Sequence, residues 1–133
     1  MVDTWQPNNS LPSITSDGLK SFLSNEYPLV SPMTPVESLS NEQRQTMAHW
    51  LKAHESEWSS VIETLETAEV LYLCALLTVG EQHIGEWQCG KRNPTILAVR
   101  HLRKMGKAPE KDFIRWLKKQ TDNRYIPYGD ALG

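Results

Sequence analysis

Basic residues are nearly missing from the first two-thirds of this 133-residue chain: up to Trp87 there are only Lys20, Arg44 and Lys52. Cysteine is scarce too, with Cys74 inside an apolar run and Cys89 in a glycine-containing loop. Two thiols in such different settings make no disulfide framework, and a chain of this length can bury a core without one. Apolar runs are short. The longest, Val70 to Val79, is about half of what a bilayer span requires. The opening Met-Val-Asp-Thr-Trp has neither the basic start nor the apolar centre of a signal peptide. Together these absences predict a reduced, cytoplasmic protein that contacts no membrane.

Catalytic and metal signatures are equally thin. Cys74, His83 and Cys89 lack the C-x-x-C type of spacing that zinc sites show, so no metal or other cofactor is expected. Neither the Walker phosphate-loop spacing nor a Ser-His-Asp arrangement nor a dinucleotide glycine fingerprint occurs. Cys89, beside Lys91 and Arg92, is the one candidate for a lowered thiol pKa, with His83 as a candidate base. A structural Cys89 is the simpler reading. A regulatory or binding role therefore fits better than a catalytic one.

What is present is charge, divided by sign. Twelve acidic residues lie before Gln88, whereas eleven basic ones follow Trp87, opposed only by Glu110, Asp112, Asp122 and Asp130. The formal net charge of −2 thus conceals about −9 on one side and +7 on the other. Such a clustered positive field attracts polyanions.

The periodicity predicts an all-α fold: a compact single-domain bundle of about five helices, preceded by an irregular Pro/Ser-rich N-terminal arm over 1–39. That arm holds Pro7, Pro12, Pro28, Pro32 and Pro35, each removing a backbone donor. A short helix capped by Ser16, with Leu19, Phe22 and Leu23 on one face, interrupts it. It reads as a loosely packed arm, or as one that embraces a second subunit in a homodimer. The helical domain spans 40–133. Ser40 and Gln43 form a capping box that starts a helix over about 41–53. Ser56 or Ser60 caps the next segment, where Val61, Leu65, Ala68 and Tyr72 share a stripe. Val70–Val79 is apolar on every side and should be the central, most buried helix. Gly80 is its expected stop, and Thr67 a possible break before it. Residues 82–93 read as a loop anchored by Trp87. Asn93 and Pro94 are a good N-cap and first residue for the next helix, whose inner face is Ile96, Val99, Leu102 and Met105. Gly106 stops it. Pro109 begins a last helix with Phe113, Ile114 and Leu117 inward and Asn123 as its stop.

Three constellations carry candidate function. The first is the basic C-terminal helical hairpin over 94–120. Arg100, Arg103, Lys104 and Lys107 recur at helical spacing along one helix, although Lys107 falls just past its Gly106 stop, and Lys111, Arg115, Lys118 and Lys119 repeat the arrangement on the other. Such stripes neutralise phosphates, and the two-helix skeleton resembles a DNA reader only loosely. The second is Lys91, Arg92 and Asn93, directly before a helix N-terminus, which suits an anion. A carboxylate is the alternative compensation there, with Glu81 and Glu86 nearest in sequence. The third is Arg124, Tyr125 and Tyr128, which either stack on bases or a peptide, or staple the tail to the body. The leading reading is a small cytoplasmic nucleic-acid- or polyanion-binding regulatory protein. The alternative is an assembly module whose basic end docks an acidic partner or its own dimer mate.

Overall fold

The computed structural model describes residues 13–23, 34–37 and 39–129. Two short helices, α1 (Ser16–Lys20) and α2 (Thr34–Glu37), precede five longer ones: α3 (Asn41–Trp50), α4 (Glu55–Ile62), α5 (Thr67–His83), α6 (Pro94–Lys104) and α7 (Lys111–Lys119). Short 3₁₀ turns over Gly85–Trp87 and Gly90–Arg92 link α5 to α6. Among the described residues there is no strand, and no helix is long and apolar enough to cross a membrane. The all-α bundle expected from the periodicity is the fold found.

Helix boundaries follow their caps. The Ser40 hydroxyl accepts from the Gln43 amide at 3.1 Å, and the Gln43 side chain accepts from the Ser40 amide at 2.8 Å, completing the predicted capping box. α4 departs from expectation. Its cap is His54 rather than Ser56 or Ser60: the imidazole Nδ1 accepts from the Ser56 amide at 3.1 Å, and Glu57 accepts from the His54 amide at 3.3 Å. A neutral imidazole nitrogen is an acceptor like a serine hydroxyl, although histidine is no habitual cap. The break before Thr67 is real, because Glu69 accepts from the Glu66 amide at 2.9 Å and starts α5 afresh.

α5 is the centre of the bundle. Val70, Leu73, Cys74, Ala75, Leu76 and Leu77 are all at most 1 % exposed, as an all-round apolar helix requires. α6 packs along it through a narrow polar seam, where the Thr95 hydroxyl donates to the Cys74 carbonyl at 3.4 Å. Gly80 is not the stop its identity suggests. The helix runs on to His83, and Gly80 is buried against the Trp87 ring, which a Cβ at that position would penetrate. Trp87 cannot easily yield, since it is buried and its indole N–H donates to the Arg44 carbonyl at 3.0 Å. For Gly80→Ala the helix-propensity gain is about 1 kcal/mol. Overpacking costs about 1–3 kcal/mol and should win. The variant is expected to unfold at lower urea than the parent; an unchanged or raised midpoint would mean that Trp87 swings away freely.

The arm is not loose where it is described. Ile14, Leu19, Phe22 and Val36 are buried in the common core, and Phe22 meets Trp50 edge-on at 5.3 Å between ring centroids. The cap of α1 is Thr15, whose hydroxyl accepts from the Gly18 amide at 3.0 Å, and not Ser16. Sequence polarity understated this packing because a few apolar residues spaced among prolines suffice to dock a segment. Trp5, Pro7, Pro12, Pro28 and Pro32 lie outside the described residues, as does most of the arm proposed as a dimer contact.

α6 and α7 follow one another across a short link, but α6 packs on α5 and α4 and α7 packs on α5, so they are not the mutually packed hairpin the sequence suggests. Asn93 caps α6 through its side-chain oxygen, which accepts from the Thr95 amide at 2.8 Å, with Pro94 next to it. Gly106 ends α6 at φ +74°, and the Lys107 and Gly106 amides donate back to Leu102 and Arg103 carbonyls in a Schellman closure. Ile96, Val99 and Leu102 face inward as predicted, but Met105 is 56 % exposed. Successive i+3 steps drift by about 60° each around a helix. Nine residues past Ile96, the stripe has therefore rotated to the opposite side.

Candidate functional site

All eight cations of the predicted hairpin are exposed, but they do not form the single stripe of the sequence on α6. Arg103 turns toward the C-terminal segment, its guanidinium 5.3 Å from the Tyr128 ring centroid. Lys118 of α7 reaches the same ring, its Nζ at 5.7 Å. Arg100 lies against Gly129, where an added Cβ would come within 2.9 Å of its Nη2. Lys104 and Lys107 instead line recesses shared with α4 and the turn after it. On the outer side of α7, Arg115 pairs with Asp112 at 3.2 Å, a surface contact of little energetic weight. Lys111 and Lys119 are exposed at its two ends.

The tail that carries Tyr128 is stapled to the body. Ile126 and Pro127 are buried, and Arg124 stacks on its neighbour Tyr125 at 5.3 Å. Of the three predicted stacking residues, then, Tyr128 is already a platform for two cations and the other two are paired together.

The loop before α6 is built around a residue the charge pattern noticed only as a neighbour. Glu81, on the last turn of α5, is 7 % exposed. Its carboxylate accepts from the Asn93 side-chain amide at 2.7 Å, from the Gly90 backbone amide at 3.2 Å and from the Asn123 side-chain amide at 3.1 Å. Asn123 also donates to the Gly90 carbonyl at 2.8 Å. It is thus not a helix stop, since α7 ends at Lys119, but the link that ties the tail to α5 and the loop. The signal for Glu81 was present: a carboxylate directly after the apolar run Val70–Val79 and Gly80, shortly before a cationic turn. Nothing in the sequence marked Asn123 as its partner.

This network changes the reading of the anion site. Asn93 is 1 % exposed and its amide group is fully engaged by Thr95, Glu81 and Leu77. The amides of Gly90, Arg92, Asn93, Thr95 and Ile96 all have protein acceptors. A phosphate on the Asn93–Ile96 amides would therefore have to displace existing bonds. The compensating carboxylate is Glu81, acting through neutral donors, while Glu86 is exposed. Lys91 and Arg92 are also exposed, and no described residue forms an ion pair with either. They join His54, Glu55 and Arg100 around a cleft of about 410 Å³ between the starts of α4 and α6. Any anion there would be held by side chains.

Neither thiol is activated by its surroundings. Burial pushes Cys89 up to about 12, the nearby Glu81 carboxylate adds to the rise, and Arg92 offsets only part of it. The lowered pKa suggested by Lys91 and Arg92 is thereby overturned: both cations point to water while the carboxylate shares the thiol's pocket. Cys74, fully buried, is also pushed up to about 12. His83 is exposed, and among the described residues no group of three or more His, Cys, Asp or Glu side chains is placed to hold a metal ion. No protein-family model matches the chain, and no curated protein or solved structure matches it either.

Proposed function

We propose that this protein contacts nucleic acid, or another polyanion with closely spaced phosphates, through the surface where α6 and α7 meet the C-terminal segment at Tyr128, and that its role is regulatory rather than catalytic. The observation that supports this reading is the convergence of Arg103 and Lys118, from separate helices, on the one Tyr128 ring. Cation–π contact of this kind holds two like charges near each other at the surface. That arrangement is unfavourable by Coulomb's law alone and is relieved by a polyanion, whose counterions are released on binding.

The test is a titration with duplex and single-stranded oligonucleotides over a range of salt. Affinity is expected to fall steeply as salt rises. Arg103→Ala and Lys118→Ala should each weaken binding and reduce the log–log salt slope by about 0.9 for a lost duplex phosphate contact, or about 0.7 for a single strand. Absence of binding to either form at low salt removes this reading.

A further inference from the structure

We propose that the groove between α4 and α6 is a self-complementary interface, which seats a second copy of this chain about a two-fold axis running along the groove. The inference goes beyond the polyanion reading and does not depend on it, because Arg103 and Lys118 lie at Tyr128 and not in this groove.

Three adjoining recesses make the groove continuous. The first and second share Leu97 and Arg100, and the second and third share His101 and Met105. The starts of α4 and α6 meet in the first recess and their later residues in the second, so the two helices run side by side in the same direction. One wall is basic and the other acidic. Glu55 shares the first recess with Arg92 and Arg100, Glu63 shares the second with Arg100 and Lys104, and Glu66 shares the third with Lys107. No ion pair between described residues crosses from wall to wall. Met105, the most exposed large hydrophobic side chain among the described residues, stands where the second and third recesses join.

These features choose the occupant. A nucleic acid or a wholly acidic peptide would be repelled by Glu55, Glu63 and Glu66. The groove fits a surface with an acidic strip beside a basic one and an apolar side chain between them, and this chain presents that surface itself. Of the two possible face-to-face two-folds, one perpendicular to the helices lays α4 on α4 and opposes like charges. The other, parallel to the helices, lays α4 of each copy over α6 of its mate without changing height. Glu63 of one copy then meets Lys104 of the other, twice by symmetry, as an isologous contact requires. Helices about 12 Å (α4) and about 16 Å (α6) long and about 10–12 Å wide give a small contact area. The association should accordingly be weak and reversible, in the class of transient interfaces below about 1,200 Å² in total.

Sedimentation of the full chain from micromolar to millimolar concentration, at low and high salt, tests this. The expected result is a monomer–dimer equilibrium that weakens with salt. Lys104→Glu and Glu63→Lys should each raise the dissociation constant by about tenfold or more. An equimolar mixture of the two variants should recover a heterodimer, because both of its contacts are then oppositely charged. Circular dichroism melts of each variant show that the fold is kept, and recovery in the mixture shows the same independently. Arg103→Ala and Lys118→Ala should leave the dimer unchanged. A chain that stays monomeric throughout overturns the proposal. So does a dimer indifferent to both charge reversals, or one that the mixture fails to restore. Should Lys104→Glu weaken oligonucleotide binding in a monomeric chain, the groove belongs to the polyanion face and the proposal also fails.

Discussion

Replacing Glu81 by alanine is expected to destabilise the protein by about 3–5 kcal/mol, since it strands buried donors that a charged acceptor now satisfies. Hydrogen bonds to a charged group contribute about 1.5–3 kcal/mol each, and losses within one network are not additive. Asn93, Gly90 and Asn123 all lose an acceptor together. A domain of this size has a total stability of about 5–15 kcal/mol, so the loss is a large fraction of it. Glu81→Gln keeps one oxygen acceptor and should cost less. Urea denaturation measures both. Amide hydrogen exchange should also show the loop over 90–93 and the tail over 123–129 opening together before the rest of the bundle. A Glu81→Ala cost below about 1 kcal/mol, or protection unchanged in the tail, would show that water replaces the carboxylate and that the network is not a keystone.

Leu76→Ala should cost about 2–5 kcal/mol through lost transfer energy and the cavity left behind. Leu76 is fully buried in the middle of α5, and rigid neighbours on every side of that helix limit how far the site can collapse. Leu71, on the same helix but only partly buried, provides the control, and its alanine variant should lose markedly less. Equal losses at the two positions would contradict the placement of α5 at the centre of the bundle.

The legible parts of this protein are those governed by neighbours in sequence. The capping box at Ser40, the Asn93–Pro94 start and the Gly106 closure were all readable, because each depends on residues within one helical turn. The burial of Val70–Val79 was readable for a related reason: a helix apolar on every side has no solvent-facing solution. The failures share a cause as well. Gly80 reads as a stop until Trp87 arrives across seven residues to occupy the space its missing Cβ leaves. Met105 reads as core until the helical drift carries it to the surface. Cys89 reads as activated because its cationic neighbours are adjacent in sequence, whereas the group that governs it is Glu81, on another element.

The candidate site shows the same division. That Arg100, Arg103, Lys104, Lys111, Arg115, Lys118 and Lys119 stand on exposed helix faces follows from their spacing opposite apolar residues. Which of them act together does not. Tyr128 joins Arg103 to Lys118, Gly129 makes room for Arg100, and α4 draws Lys104 into a groove with carboxylates opposite. By itself the sequence determined a helical bundle with its central helix, the caps at Ser40, Asn93 and Gly106 and a chain divided by charge, because period, local hydrogen bonding and composition are properties of short stretches. Only the tertiary structure decided that Glu81 holds the loop and tail together, that the basic stripe is divided between two faces, and that acidic and basic walls stand side by side along one groove. Those depend on which distant side chains reach the same few ångströms, and burial and packing of the whole chain set that.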